Sequence, residues 1–286
     1  MRIIESQTTG KRSQETCEDG IVVNENFIAV IDGSTSKSLN PFSSEKSNGR
    51  LAMELIHDMI QSMPSQINCD GFCRAVTEGL QEFYDYKGVD IRHLEENPTE
   101  RLTASCIVYS VFHQEIWMIG DCQCMVDGHF YDNPKPTEHA NAVKRSIFIK
   151  DALDNGKTVE DFQLKDEGRT LILPDIIAGC QLQNRSYSVF DGFPVLMDHV
   201  RMIPCKECKE IVLASDGYPF LKPKLEESEK ALRELLAVDP LCVEKYIATK
   251  GLMKGNNSFD DRAYIRFRPG REKKKRWWFF KMLYSL

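Results

Sequence analysis

Apolar residues along this chain fall into strand-like runs and helix-like stripes that do not alternate one for one. Phe27-Ile-Ala-Val-Ile31 is an unbroken apolar run ending in Asp32-Gly33, which predicts a buried strand that delivers a carboxylate to a turn. Leu51, Leu55, Ile56, Met59 and Ile60 recur at helical spacing until Pro64 closes the stretch, and a second helix is predicted over 70–86. Leu102 to Phe112 and Glu115 to Val126 are β-rich and separated by His113-Gln114, so they predict a hairpin interrupted at Gly120-Asp121. From Gly128 to about Cys208 the pattern turns polar, with helical spacing over 141–153 and weak strands near 187–190. Glu210-Ile-Val-Leu-Ala-Ser215 is again a strand followed by Asp-Gly, at Asp216-Gly217. Helices are predicted over 225–238 and 242–250, and a last strand over 262–267. A doubly wound parallel sheet needs regular alternation of strand and helix, so these elements predict an α+β fold of antiparallel sheets covered by helices.

Composition changes this picture little. The 286 residues, 42% hydrophobic, are ordinary for a globular enzyme, and a formal charge of -6 argues against general nucleic-acid binding, which needs an excess of Lys and Arg. Ten cysteines without an apolar N-terminal leader predict a cytoplasmic protein with free thiols. Cys205 and Cys208 have no second pair at zinc-binding spacing and are read as a turn between strands; Cys122 and Cys124 are read as inward-packed thiols. No run approaches the length that spans a bilayer.

Charge placement changes it more. Glu18-Asp19, Asp32-Gly33, Asp216-Gly217 and Asp260-Asp261 all stand beside apolar strands, and Asp121 follows Gly120. Taken singly, an Asp-Gly after a strand is an ordinary turn. Taken together, carboxylates on strand ends from distant parts of a chain are what hard divalent cations require, and two such cations can promote in-line attack of water on phosphorus.

The segments Glu18-Asp19-Gly20, Ala29-Val-Ile-Asp32-Gly33, Thr103-Ala-Ser105, Ile119-Gly-Asp121, Leu213-Ala-Ser-Asp216-Gly217 and Phe259-Asp260-Asp261, in this order, resemble the type-2C metal-dependent (PPM-type) protein phosphatases. The resemblance runs from about Glu18 to Phe267. It implies a four-layer αββα sandwich, two antiparallel β-sheets flanked by helices, and a hydrolase acting on phosphoserine or phosphothreonine in proteins through a hydroxide bridging two Mg²⁺ or Mn²⁺ ions. Asp32 would bridge the metals, Asp216 and Asp260 would complete one site, and the Gly33 carbonyl with Glu18 would serve the other, beside Asp19; Asp121 would match a third, weaker site.

Two positions depart from the family pattern. Gln14 stands where an Arg usually grips the substrate phosphate, and Ser34 stands where some members carry a His; Arg12 and Lys37 are the substitute candidates for the phosphate contact. The resemblance implies one phosphatase-like domain over 1–268, with a variable, flap-like region at about 128–208, and a tail over 269–286. That tail joins Arg271-Glu-Lys-Lys-Lys-Arg276 to Trp277-Trp-Phe-Phe280, a pairing suited to peripheral docking on an anionic membrane or a partner protein, or to folding back on the domain. The alternatives to a phosphoprotein-directed enzyme are an inactive pseudophosphatase that acts as a binding module, and a two-metal nuclease, which the acidic charge disfavours.

Overall fold

The computed structural model describes residues 1–35, 37 and 41–270; the basic and aromatic tail beyond Gly270 lies outside the described residues. Ten strands form two antiparallel five-stranded sheets. One sheet has the order β2 (Asp19–Val23), β3 (Phe27–Gly33), β4 (Ala104–Ser110), β5 (Glu115–Ile119), β8 (Arg201–Pro204). The other has the order β1 (Arg2–Thr9), β10 (Arg262–Arg268), β9 (Ile211–Ala214), β6 (Gln123–Val126), β7 (His129–Tyr131).

The period-two geometry of a strand explains the layers. Ile28, Val30, Ile107, Tyr109, Ile116 and Met118 point inward and meet Ile211, Leu213, Ala263, Ile265 and Phe267 of the other sheet. The alternate residues Phe27, Ala29, Ile31, Val108, Trp117 and Ile119 point outward onto α1 (Asn48–Ser62) and α2 (Cys69–Tyr86), with Ile56, Ile60, Phe72, Val76 and Leu80 in the same cluster. Strand β3 is thus buried on both faces, which is why its sequence is continuously apolar. On the opposite outer face, Glu229 of α7 (Leu225–Val238) takes Arg262 of β10 at 2.7 and 3.0 Å and the Tyr218 hydroxyl at 2.8 Å. The molecule is therefore an αββα sandwich.

The predicted hairpin has a different ending. The chain pairs β4 with β5, then leaves that sheet at Gly120 and enters the other as β6. Gly120 has φ +87°, and a Cβ there would lie 2.2 Å from Ser105 Oγ, so both backbone conformation and space require glycine.

Between β7 and β8 the chain forms α4 (Glu138–Asp154), α5 (Val159–Leu164) and α6 (Glu167–Cys180); the short α3 (Ile91–Glu96) lies earlier, between α2 and β4. The expected strands near 187–190 are single bridges, Ala104 to Phe190 and Gln183 to Tyr187. The expected helix over 242–250 is a loop, because the buried Asp239 carboxylate accepts the N–H groups of Val243, Glu244 and Lys245 in place of helical carbonyls. Arg145 of α4, fully buried, ties this loop down by donating to the carbonyls of Leu241 at 2.9 Å and Ala248 at 3.1 Å.

All ten cysteines are free, Cys122 and Cys124 pack between the sheets, and Cys205 to Cys208 is the turn from β8 to β9. Among the described residues, no helix is long and apolar enough to cross a membrane.

Candidate active site

Strand ends of both sheets meet at one rim of the sandwich, and the acidic residues stand there because of register. Asp19 pairs with Asp32, and Asp32 pairs with Ser105 on its other side. Directly paired residues of antiparallel strands point to the same face, so the two carboxylates stand side by side. Asp216 follows β9, Asp260 and Asp261 precede β10, and Asp121 lies on the connection between β5 and β6. Gly217 lets the two ends of the second sheet close up: a Cβ there would fall 2.0 Å from the Asp261 carbonyl oxygen. A cavity of about 430 Å³ opens on this rim, lined by Asp32, Asp121, Glu138, Asp216, Asp260 and Asp261 among others.

Like charges set the electrostatics. Burial pushes Asp19 up to about 8, with the charges of Asp216 and Asp261 adding to it and a Ser215 hydrogen bond opposing. Burial, then the charges of Asp19, Asp216 and Asp121, hold Asp32 well above the carboxylate range. Asp121 behaves in the opposite way: burial opposes its ionisation, but Lys135 at 2.6 Å and Ser105 Oγ at 2.5 Å hold it below the usual value.

The other acids differ in how far they are already engaged. Glu18 accepts hydrogen bonds from Thr35 Oγ1 and from Ser47 Oγ at 2.6 Å, and its neighbours are shaped for it: a Cβ on Gly49 would lie 2.6 Å from Glu18 Oε1. Gly33 donates its N–H to the Glu18 carbonyl, and a Cβ there would strike the Gly49 carbonyl oxygen at 2.1 Å. Asp261 accepts from the Lys11 backbone at 2.7 Å and the Lys11 ammonium at 3.0 Å, so it anchors the N-terminal segment. Asp260 pairs with Lys250 and lies 3.6 Å from Lys11. Asp19 Oδ2 is buried with no hydrogen-bond partner among the described residues.

Sequence reasoning missed four residues at this rim. Lys11, Lys135 and Lys250 bring ammonium groups to the acids, and Glu138 places a carboxylate oxygen within 4.8 Å of those of Asp121 and Asp216. Burial, then the Asp121 charge, pushes Glu138 up to about 7. The three lysines stand on connections without periodicity, and Glu138 opens α4 just before the stretch whose spacing reads as helical, so no pattern along the chain flagged them. Arg12 is exposed and is not among the cavity-lining residues, whereas its neighbour Lys11 and the other candidate, Lys37, are.

No protein-family model and no curated protein matches the chain. Solved structures do. The chain is similar to a bacterial serine phosphatase at 13% identity and a TM-score of 0.46, covering 94% of this chain and 98% of that one. It is similar to the serine/threonine phosphatase Stp1 from Staphylococcus aureus at 14% identity and a TM-score of 0.45, covering 95% and 96%. It is also similar, over 94% of its length and 100% of the other chain, at 13% identity and a TM-score of 0.45, to the catalytic domain of the serine/threonine protein phosphatase PstP, whose structure holds two manganese ions.

Proposed function

We propose that the chain is a divalent-cation-dependent phosphatase that removes phosphate from serine or threonine side chains of proteins. The observation that carries this reading is the side-by-side pair Asp19 and Asp32, gathered with Asp216 and Asp260 at the meeting point of two sheets, Asp19 and Asp260 buried and Asp32 and Asp216 partly so, with one Asp19 oxygen unpartnered among the described residues. Several buried carboxylates repel one another unless cations compensate them, and an all-oxygen donor set suits Mg²⁺ or Mn²⁺. The residues fit such ions.

Asp32 would hold both cations, with Asp216 and Asp260 completing the set for one and Asp19 with the Gly33 carbonyl for the other. Glu18, engaged by Thr35 and Ser47, steadies the Gly33 turn. When bound, the two ions supply Lewis acidity, lowering the pKa of water and neutralising charge on phosphate oxygens. Lys135 and Lys250 reach the cavity from outside the sheets, and once freed from Asp121 and Asp260 they contact the phosphate of the substrate. Asp121 and Glu138 offer a third, weaker cation position with Asp216.

The test is hydrolysis of an aryl phosphate and a phosphopeptide with Mn²⁺, with excess chelator, and with Asp216→Asn. Activity that needs Mn²⁺ and is lost in the variant supports the reading, and equal turnover in chelator ends it. A second reading, a binding module without turnover, is favoured by the three ammonium groups already seated among the acids. Calorimetry separates the two: a module whose lysines replace the cations takes up no Mn²⁺.

A further inference from the structure

The cavity wall carries two cations that its carboxylates do not neutralise. Lys11, Arg101, Lys135 and Lys250 each have an acidic partner, with Arg101 on Asp191 at 2.9 Å. Lys37 and Arg169 line the same cavity without one among the described residues. For Arg169 the reason is visible. The nearby carboxylate, Asp166, is occupied by Arg145, with Oδ2 2.7 Å from Nη2 and 3.0 Å from Nε, and its Oδ1 also caps the Arg169 backbone N–H. Among the described residues the Arg169 side chain is left with one hydrogen bond, from Nη1 to the Thr249 carbonyl at 3.0 Å. Lys37 donates to Ser34 Oγ at 2.9 Å and to the Thr35 carbonyl.

A guanidinium offers five donors in a planar fork, and leaving most of them unused in a half-buried cavity is costly unless an anion completes the set. Lys37 also feels the surrounding positive charge. Burial pushes Lys37 down to about 8, and the charges of Lys135, Arg169 and Lys250 add to the effect. An incoming anion relieves this repulsion as well as filling the fork.

We propose that Lys37 and Arg169 form a subsite for a second anionic group, so that the preferred substrate is a phosphorylated chain segment bearing a carboxylate or another phosphate beside the phosphate that is removed. The removal step rests on the phosphatase reading above, whereas the subsite rests on the two unpaired cations alone. The cavity that both residues line, about 430 Å³, falls in the ordinary range of ligand pockets, about 300–1,000 Å³.

The experiment has two arms on the full chain. In the first, inorganic phosphate is titrated into the protein in excess chelator and followed by calorimetry. Wild type binds, and Lys37→Met/Arg169→Met weakens binding at least about tenfold, as expected when charge-assisted hydrogen bonds are removed. In the second, phosphoserine peptides flanked by Asp, by a second phosphoserine or by Ala are compared with Mn²⁺ present. Wild type prefers the anionic flanks by about tenfold in kcat/KM, and the double variant, melting at the wild-type temperature, loses the preference.

Absence of a preference in wild type, or its survival in the double variant, overturns the substrate proposal. Phosphate binding that survives the double substitution overturns the subsite. If no peptide is turned over, the phosphatase reading falls, and the titration in chelator still decides whether Lys37 and Arg169 bind anions. Arg169→Gln, with a smaller change of shape, replaces Arg169→Met if the double variant does not fold.

Discussion

On one wall of the cavity, Asp32, Asp216 and Asp260, with Asp19 paired to Asp32, stand at strand ends locked by the hydrogen bonds of two sheets; on the other, Lys37, Lys135, Arg169 and Lys250 stand on helices and connections outside both sheets. The first wall is held by backbone pairing and carries surplus negative charge. The second is held by side chains, chiefly the buried Arg145–Asp166 and Arg101–Asp191 pairs, and carries the cations. A wall held by backbone keeps its geometry when a side chain is exchanged, whereas a wall held by one buried ion pair moves with it. That difference separates residues whose loss should affect chemistry from those whose loss should affect folding.

The largest expected effect is on the strand-end wall. Asp32→Ala and Asp216→Asn should each lower turnover by about a thousandfold while the metal-free protein melts no lower than wild type, because each removes a charge that its neighbours repel. A variant that keeps its rate and its Mn²⁺ affinity is not a ligand.

Next in size is the other wall. Arg145→Met leaves Asp166 buried without its partner and frees the loop carrying Lys250, so unfolding in urea should report a loss of about 3–5 kcal/mol. A loss comparable to that of a surface substitution would mean that this wall is held by something other than the ion pair.

A smaller effect is expected in pH dependence. The Asp19 carboxyl sits at about 8 in the folded chain against 3.8 as its ordinary value. A raised carboxyl binds its proton more tightly when folded, so its contribution to stability is complete below pH 3.8 and is lost as pH rises through about 8. In chelator, stability should therefore fall between pH 5 and pH 8, and Asp19→Asn should flatten that slope. A variant with the wild-type slope would remove Asp19 as its source. The smallest effect belongs to Arg12: exposed and outside the cavity lining, Arg12→Ala should change kcat/KM by less than about twofold, and a larger loss would place it in the site after all.

The same division explains what could be read in advance. Strands β3 and β9 are apolar on consecutive positions because both faces are covered, and the acid that breaks each run is visible as an interruption. Strand β1, RIIESQTT, is half exposed and mixes polar with apolar positions, so it offered no such contrast. Helix α6 carries apolar residues on every side and Pro174 inside it, leaving no stripe to read. The loop after α7 has apolar residues at helical spacing but belongs to Asp239, whose carboxylate draws its N–H groups away from a helix. Lys135, Glu138 and Lys250 reach the acids only through the tertiary path of these segments, which spacing along the chain does not encode.

The passage of the chain from one sheet to the other at Gly120 sets a length. Packed sheets lie about 10 Å apart. The four virtual bonds from Ile119, the end of β5, to Gln123, the start of β6, span at most about 14 Å when fully extended. The link is a short tether with little slack, and Asp121 is in the middle of it. Any separation or sliding of the sheets that altered the spacing between Asp32 on one and Asp216 on the other would draw this tether tight and pull Asp121 out of line with Ser105. The distance between the two halves of the acidic rim is therefore gauged by covalent chain as well as by packing.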